Sequence, residues 1–491
     1  MKLKLKLKIL NIIAGRPVSF IHPANARKLN IHAGERIEIS KGGKKIISIT
    51  DVASKIVKEN EIGFSKELLR LFALSNHDEV EVNIALSSES INIISKKLHG
   101  KELSRKEIIN IIKDIVTNSL TEAEIAYFVS AVYEKGMTLK ETIYLTEAIY
   151  KTGKSIKWHT NKIADKHSIG GIAGNRTTPI VVSICASAGI VMPKTSSRAI
   201  TSASGTADAV ETVSKVDFNI EDLKKIVKKT NACLAWGGSL GLAPADDKLI
   251  RIERLLNVDP ESQLIASILG KKLSAGSKYV LIDIPYGNNA KVTKKEAKRL
   301  KQKFIKIGKH FGLKIEVVLT PGNEPIGNGI GPVLEMRDVL RVLKRENPPI
   351  DLENKSIFLA SKILEMMKKA KKGNGTELAK SILNSGKAYK KFLEIINAQG
   401  RHSFSLKNPK FKFNIYSSKS GKITEINNHK INSLAKLLGC PTDKNAGIYL
   451  YYHVHDKVKR GDLVLTLYAE SDIKLKEAIF IIKRDSPIQI D

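Results

Sequence analysis

Two stretches of this 491-residue chain carry residues suited to holding an anion. The first is Asp165-Lys166-His167-Ser168-Ile169-Gly170-Gly171, continuing through Gly174, Asn175, Arg176 and Thr177; the second runs from Lys194-Thr195-Ser196-Ser197-Arg198 to Gly205-Thr206. Glycines at 170, 171 and 174 let the main chain approach an anion with no Cβ in the way. Ser168, Thr177, Ser196, Ser197 and Thr206 offer hydroxyl donors, and Lys166 and Arg198 offer charge. A Ser/Gly-rich turn explains either loop alone; two such loops, each beside a basic residue, point to a phosphate-type ligand. The chain has no Gly-x-x-x-x-Gly-Lys-Ser/Thr, and Gly170-Gly171-x-x-Gly174 has the wrong spacing for a dinucleotide fingerprint. Neither ATPase nor dehydrogenase chemistry is expected.

The elements that must position these loops follow from periodicity. Pro179 to Val191 is almost wholly apolar and suits a buried helix, so the chain leaves one loop, crosses a core and returns at the second. Around it, from about 155 to 400, strands and helices alternate. Lys278 to Ile284 reads as a strand, Thr293-x-x-Glu296 caps a helix, and Leu313 to Leu319 reads as the next strand, a β-α-β unit. Upstream, Met1 to Lys8 alternates with period two and predicts a first strand. Ile9 to Ile13, Arg36 to Ser40 and Glu79 to Ala85 add short strands, with turns at Gly34 and Gly42-Gly43. Ser104-x-x-Glu107, Thr121-x-x-Glu124 and Thr138-x-x-Glu141 are three successive capping boxes and predict a small helical bundle. Beyond residue 405, Lys412 to Tyr416, Ile448 to His453 and Asp462 to Tyr468 read as strands, with Gly421 and Gly461 in turns and a boundary near Gln399-Gly400. The expected fold class is multidomain α/β and α+β: a β-rich domain over 1–85, a helical domain over 86–155, an α/β phosphate-binding domain over 156–243 and 273–404, and a C-terminal α+β domain over 405–491.

Composition narrows the function classes. Hydrophobic residues at 42% and charged residues at 27% describe a globular chain, and no apolar run reaches the about eighteen residues of a membrane span. No membrane partner is expected. Cys185, Cys233 and Cys440 lie far apart with no Cys-x-x-Cys, which argues against a disulfide framework or zinc site and fits a reducing cytoplasm. The formal charge of +32 would attract polyanions. Its lysines are nevertheless spread over every segment, and 5% aromatic residues leave little for base stacking. Compositional bias explains the charge, and no specific nucleic-acid partner is expected. His453-Val454-His455 would put two imidazoles on one strand face, as a metal site can require; without a third ligand it reads as a surface strand. No metal is expected.

Lys166-His167-Ser168-Ile169-Gly170-Gly171 resembles the phosphate loop of the thymidine and pyrimidine nucleoside phosphorylase family. The likeness continues through Ala266-Ser267-Ile268-Leu269-Gly270-Lys271-Lys272 and the turn from Gly327 to Glu335, covering about residues 95 to 490. The β-rich extension, Pro193 to Ser202 and Trp236-Gly237-Gly238 resemble the archaeal-type branch, which acts on AMP. The resemblance implies that the nucleotide is contacted by Gly171, Ser197, Arg198, Ala199, Ile200, Thr201, Ser202, Thr206, Ser267 and Lys291. The attacking phosphate would be held by Lys166, Ser168, Thr177, Ser196 and Thr206, and Asp259 would be the proton donor. Thr177 stands where the pyrimidine enzymes carry serine. Ile252, flanked by Arg251 and Arg254, stands where they carry a base-holding arginine, a departure that tells against pyrimidine recognition. The family also implies a helical domain completed by about 244–272, a homodimer or larger homo-oligomer, and no cofactor beyond inorganic phosphate as co-substrate.

Taken from the residues alone, Asp259-Pro260 starts a helix with the aspartate as its N-cap, and Lys291 is one surface lysine among many. The implied chemistry gives both a task. Phosphorolysis replaces the bond from ribose C1′ to the base nitrogen with one to phosphate. A phosphate dianion held against C1′ stabilises the growing positive charge, while a carboxylic acid protonates the departing base. Lys291, after a strand end, would neutralise the nucleotide 5′-phosphate. His167 would orient the loop, because a phosphate dianion needs no general base. The anthranilate phosphoribosyltransferases share the architecture and a glycine-rich loop but use magnesium to hold a diphosphate. Here Ile172-Ala173 follow the glycine pair, with no adjacent carboxylates for that ion.

Overall fold

A computed structural model of the chain describes residues 2–72, 74–85, 88–199, 202–402 and 409–491. The chain divides into two compact units, residues 1–152 with 244–266 and residues 153–243 with 267–491.

The first unit begins with the Lys–Leu alternation. Leu5 and Leu7 turn inward along β1 (Leu3–Ile9) while the lysines face out. Five more strands, β2 (Val18–Ile21), β3 (Arg36–Lys41), β4 (Lys44–Val52), β5 (Glu61–Phe64) and β6 (Glu79–Ile84), complete a closed barrel in the order β1-β5-β2-β4-β3-β6. Antiparallel pairing of β6 on β1 closes it and removes the free edges. The strand expected over Ile9 to Ile13 is absent: β1 ends at Ile9, and the next residues bridge to other partners. Leu10 donates to the Phe64 carbonyl, the Ile12 carbonyl accepts from Lys66, and the Glu67 carboxylate takes the Ala14 and Gly15 N–H groups.

The helices that follow form where the capping boxes stand. Ser104 and Thr121 cap Arg105–Val116 and Glu122–Lys135 with reciprocal bonds to Glu107 and Glu124, and Thr138 and Glu141 exchange bonds at the start of Leu139–Thr152. Glu141 is also fully buried, paired with Lys97 at 2.8 Å and accepting the Leu103 N–H. Pro244–Leu256 adds a further helix, whose Lys248 caps the far end of Arg105–Val116 by donating to the carbonyls of Ile115 and Val116. A cation at carbonyls with no intrahelical partner is the favoured arrangement, although burial pushes this ammonium down to about 8.

The second unit is built on parallel strands β7 (Ala164–Ser168), β8 (Met192–Ser196), β9 (Ala232–Trp236), β10 (Tyr279–Tyr286) and β11 (Lys314–Pro321). β11-β10-β7 form one sheet and β8-β9 another, and a parallel bridge between Ile163 and Val191 joins them. The lateral order is therefore β9-β8-β7-β10-β11, with β7 flanked by the second strand of the unit on one side and the fourth on the other. Such a reversal opens a crevice at the carboxyl ends of the strands, where open α/β sheets bind ligands.

The helix between the loops spans Thr177–Ser187, and every residue from Thr177 to Ala186 is buried. It starts before Pro179, which its third position tolerates because the N–H there has no helical partner. It stops short of Val191 because Gly189 turns to a φ of +74° and Val191 enters the bridge to Ile163.

Beyond residue 410 a four-stranded sheet runs in the order Gly329–Ile330, Gly447–Leu450, Leu463–Ala469, Phe411–Tyr416. A three-stranded sheet runs Lys457–Val458, Gly421–Ile426, Ile488–Ile490, and helices Asn428–Leu438 and Asp472–Arg484 pack with them. Three expectations change here. Gly421 opens a strand rather than sitting in a turn. The strand expected over Ile448 to His453 ends at Leu450. His453 and His455 therefore share no strand face: Asp456 takes the His453 N–H at 2.7 Å, and His455 adopts a φ of +79°. The His453 ring meets Glu324 at 3.1 Å, which holds the imidazole above its ordinary value against the opposing effect of burial.

Candidate active site

Both loops leave the sheet at its carboxyl edge, the first from β7 and the second from β8. The first needs its glycines: Gly170 and Gly171 sit at φ of +88° and +90°, a region that side chains bearing a Cβ rarely enter. A Cβ on Gly171 would lie 2.7 Å from Cγ of Lys291, and one on Gly170 would lie 3.9 Å from its Cε. The chain after β10 thus lays Lys291 directly on the glycine pair. In the second loop, Asp208 gathers the backbone by accepting the N–H groups of Ala199 and Gly205 at 2.7 and 2.9 Å.

Asparagines of the C-terminal segment brace both loops. Asn428 Oδ1 accepts the Ala173 N–H at 3.1 Å, and one helical turn later Asn432 Oδ1 accepts the Ala203 N–H at 2.9 Å. One helix, Asn428–Leu438, therefore sets the spacing of the two loops.

Behind the loops lies an unusual density of buried charge. Lys166 is 1% exposed and donates to Thr177 Oγ1 at 2.8 Å. Lys272 meets Asp165 at 2.8 Å and Lys194 meets it at 3.6 Å. Lys355 lies 3.4 Å from Asp283, whose other oxygen accepts from Thr320 at 2.6 Å. Arg176 pairs with Glu335 at 2.6 Å. Five cations here face three carboxylates. Burial pushes the Lys166 ammonium down to about 8, partly offset by Asp283, and pushes Lys272 down to about 7. Burial opposes the Asp165 charge as well, but Lys194 and Lys272 outweigh it and hold that carboxyl below its usual range. His167 is driven well below its ordinary value by burial and by neighbouring lysines, so its ring is neutral. Buried charge is costly unless compensated; Asp351 also acts on Lys355 and Lys272 is only partly charged near neutrality, so the cations exceed the carboxylates here by a margin that a bound anion would offset.

Lys166, Ser168, Gly171, Thr177, Ser196, Ser202, Thr206 and Lys291 all belong to the second unit, where Lys166 meets Thr177, Lys291 lies on Gly171 and Arg176 meets Thr206. Ser196 Oγ is buried and has no hydrogen-bond partner among the described residues, and Asn175 Nδ2 reaches Ser168 Oγ at 3.5 Å. Ser197 is exposed and Ala199 buried. The Arg198 guanidinium is occupied within the protein, 2.7 Å from Glu211, 3.1 Å from Asp208 and 4.7 Å above the Trp236 ring. Ile200 and Thr201 lie outside the described residues. Ser267 is half-buried on helix Glu261–Ser274, the helix whose Lys272 pairs with Asp165. Asp259 belongs to the first unit and is exposed, two residues before that helix begins, so Pro260 rather than Asp259 directly precedes its first turn. Ile252 is a core residue of the first unit, and Arg251 pairs with Glu122 at 3.0 Å.

Sequence reasoning missed Arg176, Asp165, Lys272, Glu335 and the two asparagines. Arg176 left a signal as a basic residue inside the first loop, and Lys272 and Glu335 stand in the segments that carry the resemblance, with no role attached to them. Their roles depend on contacts made across more than a hundred residues.

Three family models match the chain: the helical bundle domain of a glycosyl transferase family over residues 91–153, the a/b domain of that family over 160–389, and the pyrimidine nucleoside phosphorylase C-terminal domain over 422–489. A protein of Pyrococcus furiosus named AMP phosphorylase is 43% identical over 99% of this chain and 97% of its own length. One of the same name from Methanocaldococcus jannaschii is 41% identical over 99% and 97%. Among solved structures, an anthranilate phosphoribosyltransferase from Thermus thermophilus superposes with a TM-score of 0.53 at 16% identity, covering 62% of this chain and 98% of that one. That last likeness is one of fold.

Proposed function

The chain belongs to the AMP phosphorylase family, and we propose that this pentosyltransferase converts AMP and inorganic phosphate to adenine and ribose 1,5-bisphosphate, in nucleotide degradation and salvage. CMP and UMP are further candidate substrates. The observation that carries the reading is the surplus of buried cations behind two hydroxyl-bearing loops, with Lys291 laid on the Gly170-Gly171 turn. It supports two anions in one place, a phosphate dianion near Lys166 and a nucleotide phosphate near Lys291.

In this reading Lys166, Ser168, Thr177, Ser196 and Thr206 hold the attacking phosphate. Gly171, residues 197–202, Thr206, Ser267 and Lys291 hold AMP. As the C1′–base bond lengthens, its electron pair leaves with the base, a phosphate oxygen closes on C1′, and the ribose passes through an oxocarbenium-like state that the phosphate charge stabilises. Asp259 delivers a proton to the departing base. His167, neutral and half-buried, orients the loop. Phosphate is the only co-substrate and no metal or cofactor is required. The assembly is a homodimer or larger homo-oligomer, which light scattering tests, and the setting is cytoplasmic.

Phosphorolysis of AMP, CMP, adenosine and thymidine measured side by side tests the substrate. AMP turns over fastest, and Lys291→Ala raises KM for AMP while leaving adenosine turnover unchanged. Activity confined to thymidine sinks the reading, as does an unaltered AMP affinity in Lys291→Ala.

A further inference from the structure

Arg176 touches both loops. Its Nη1 donates to Thr206 Oγ1 at 2.7 Å and its Nη2 to the Ser204 carbonyl at 2.8 Å. Its Nε donates to Glu335 Oε2 at 2.7 Å, and Nη2 lies 2.6 Å from the same oxygen. The two side chains are 9% and 1% exposed. Glu335 is fixed in turn, since its other oxygen accepts the Gly331 N–H at 3.2 Å where helix Pro332–Lys344 begins. The guanidinium is therefore anchored on one side by Glu335, and its remaining N–H groups reach across to the second loop.

A threonine hydroxyl has one hydrogen and two lone pairs, and arginine only donates. The bond from Arg176 consumes a lone pair of Thr206 and leaves the hydrogen for another acceptor. Among the described residues Thr206 Oγ1 has this one hydrogen-bond partner, and the side chain is half-buried rather than sealed. A hydroxyl that accepts from a cation is polarised into a better donor. We propose that Arg176 is a positioning residue that turns the Thr206 hydroxyl hydrogen toward a phosphate oxygen, so that the second loop favours an ionised oxygen, which can only accept, at that place. The inference rests on the AMP reading for the identity of the anion. Its oxygen belongs either to the attacking phosphate or to the 5′-phosphate of the nucleotide. Lysine cannot substitute, because one ammonium cannot serve Glu335, Ser204 and Thr206 in the plane that the guanidinium spans.

The full-length protein is compared with Thr206→Ser, Thr206→Val, Arg176→Lys and the Arg176→Lys/Thr206→Val double variant. Calorimetric titration with inorganic phosphate is combined with kinetics in which AMP and phosphate are varied in turn. Thr206→Ser keeps the hydroxyl and stays within about twofold of the parent. Thr206→Val and Arg176→Lys each weaken phosphate affinity or raise KM for AMP by about tenfold or more, the scale of a charge-assisted hydrogen bond, with a smaller effect on kcat. The double variant falls no further than the worse single one, because both changes remove the same bond. A loss confined to phosphate assigns the oxygen to the attacking phosphate, and a loss confined to AMP assigns it to the 5′-phosphate. Unchanged constants in Arg176→Lys, or losses that multiply in the double variant, overturn the proposal. If thermal melts show that Arg176→Lys does not fold, equal behaviour of Thr206→Val and Thr206→Ser overturns it instead. Phosphate binding that follows this pattern without any AMP turnover would remove the functional reading and leave this inference standing.

Discussion

At the scale of single residues, Lys166 is the most exposed to a pH test. Its ammonium is buried and pushed down to about 8, and a lysine is a cation only below its pKa. Phosphate affinity therefore falls as pH rises from about 7 through 8, where first Lys272 and then Lys166 lose their protons. Calorimetric titration with phosphate from pH 6.5 to about 9.5 checks this, and an affinity flat across that window would detach Lys166 from the anion. Asp259 gives a second test. It stands exposed two residues before the helix that follows it; Asp259→Asn folds and loses most turnover, by about a hundredfold or more if it is the general acid. Retained activity would exclude that role. Both residues were legible from the sequence through the resemblance, while their environments were not. Lys166 is 1% exposed and donates to Thr177, and that degree of burial is not encoded in the loop's own text.

At the scale of elements, short-range grammar was read correctly and long-range bracing was invisible. The capping boxes at Ser104, Thr121, Thr138 and Thr293 formed as read because each is a bond between residues three apart. The loops were legible as glycine and hydroxyl text. That Asn428 and Asn432 hold them was not, because those asparagines lie 255 and 229 residues away from their partners. Alternation misled over Ile448 to His453, where the Asp456 bond to the His453 N–H turns the chain out of the strand. The first loop offers a matched pair of substitutions. Gly170→Ala and Gly171→Ala both place a Cβ at positive φ and cost about 1–2 kcal/mol of backbone strain, but only the second pushes on Lys291. Equilibrium unfolding should find Gly171→Ala the more destabilised of the two, and KM for AMP rises further in it. Equal KM values would mean that Lys291 does not act through its seat on that glycine.

At the scale of the whole molecule, the formal charge of +32 makes a field that attracts anions of any size. AMP and phosphate are both anions, so kcat/KM for AMP declines smoothly as added salt screens that field. If the second unit, with its excess of buried cations, works on a nucleotide and a phosphate together, the two must be consumed in step. Product analysis tests this most directly: AMP and inorganic phosphate are incubated with the purified protein and the products separated and weighed against phosphate consumed. Adenine and ribose 1,5-bisphosphate in equal amounts, one of each per phosphate lost, is the predicted result. Ribose 5-phosphate with no phosphate consumed, or adenosine with phosphate released, would contradict it.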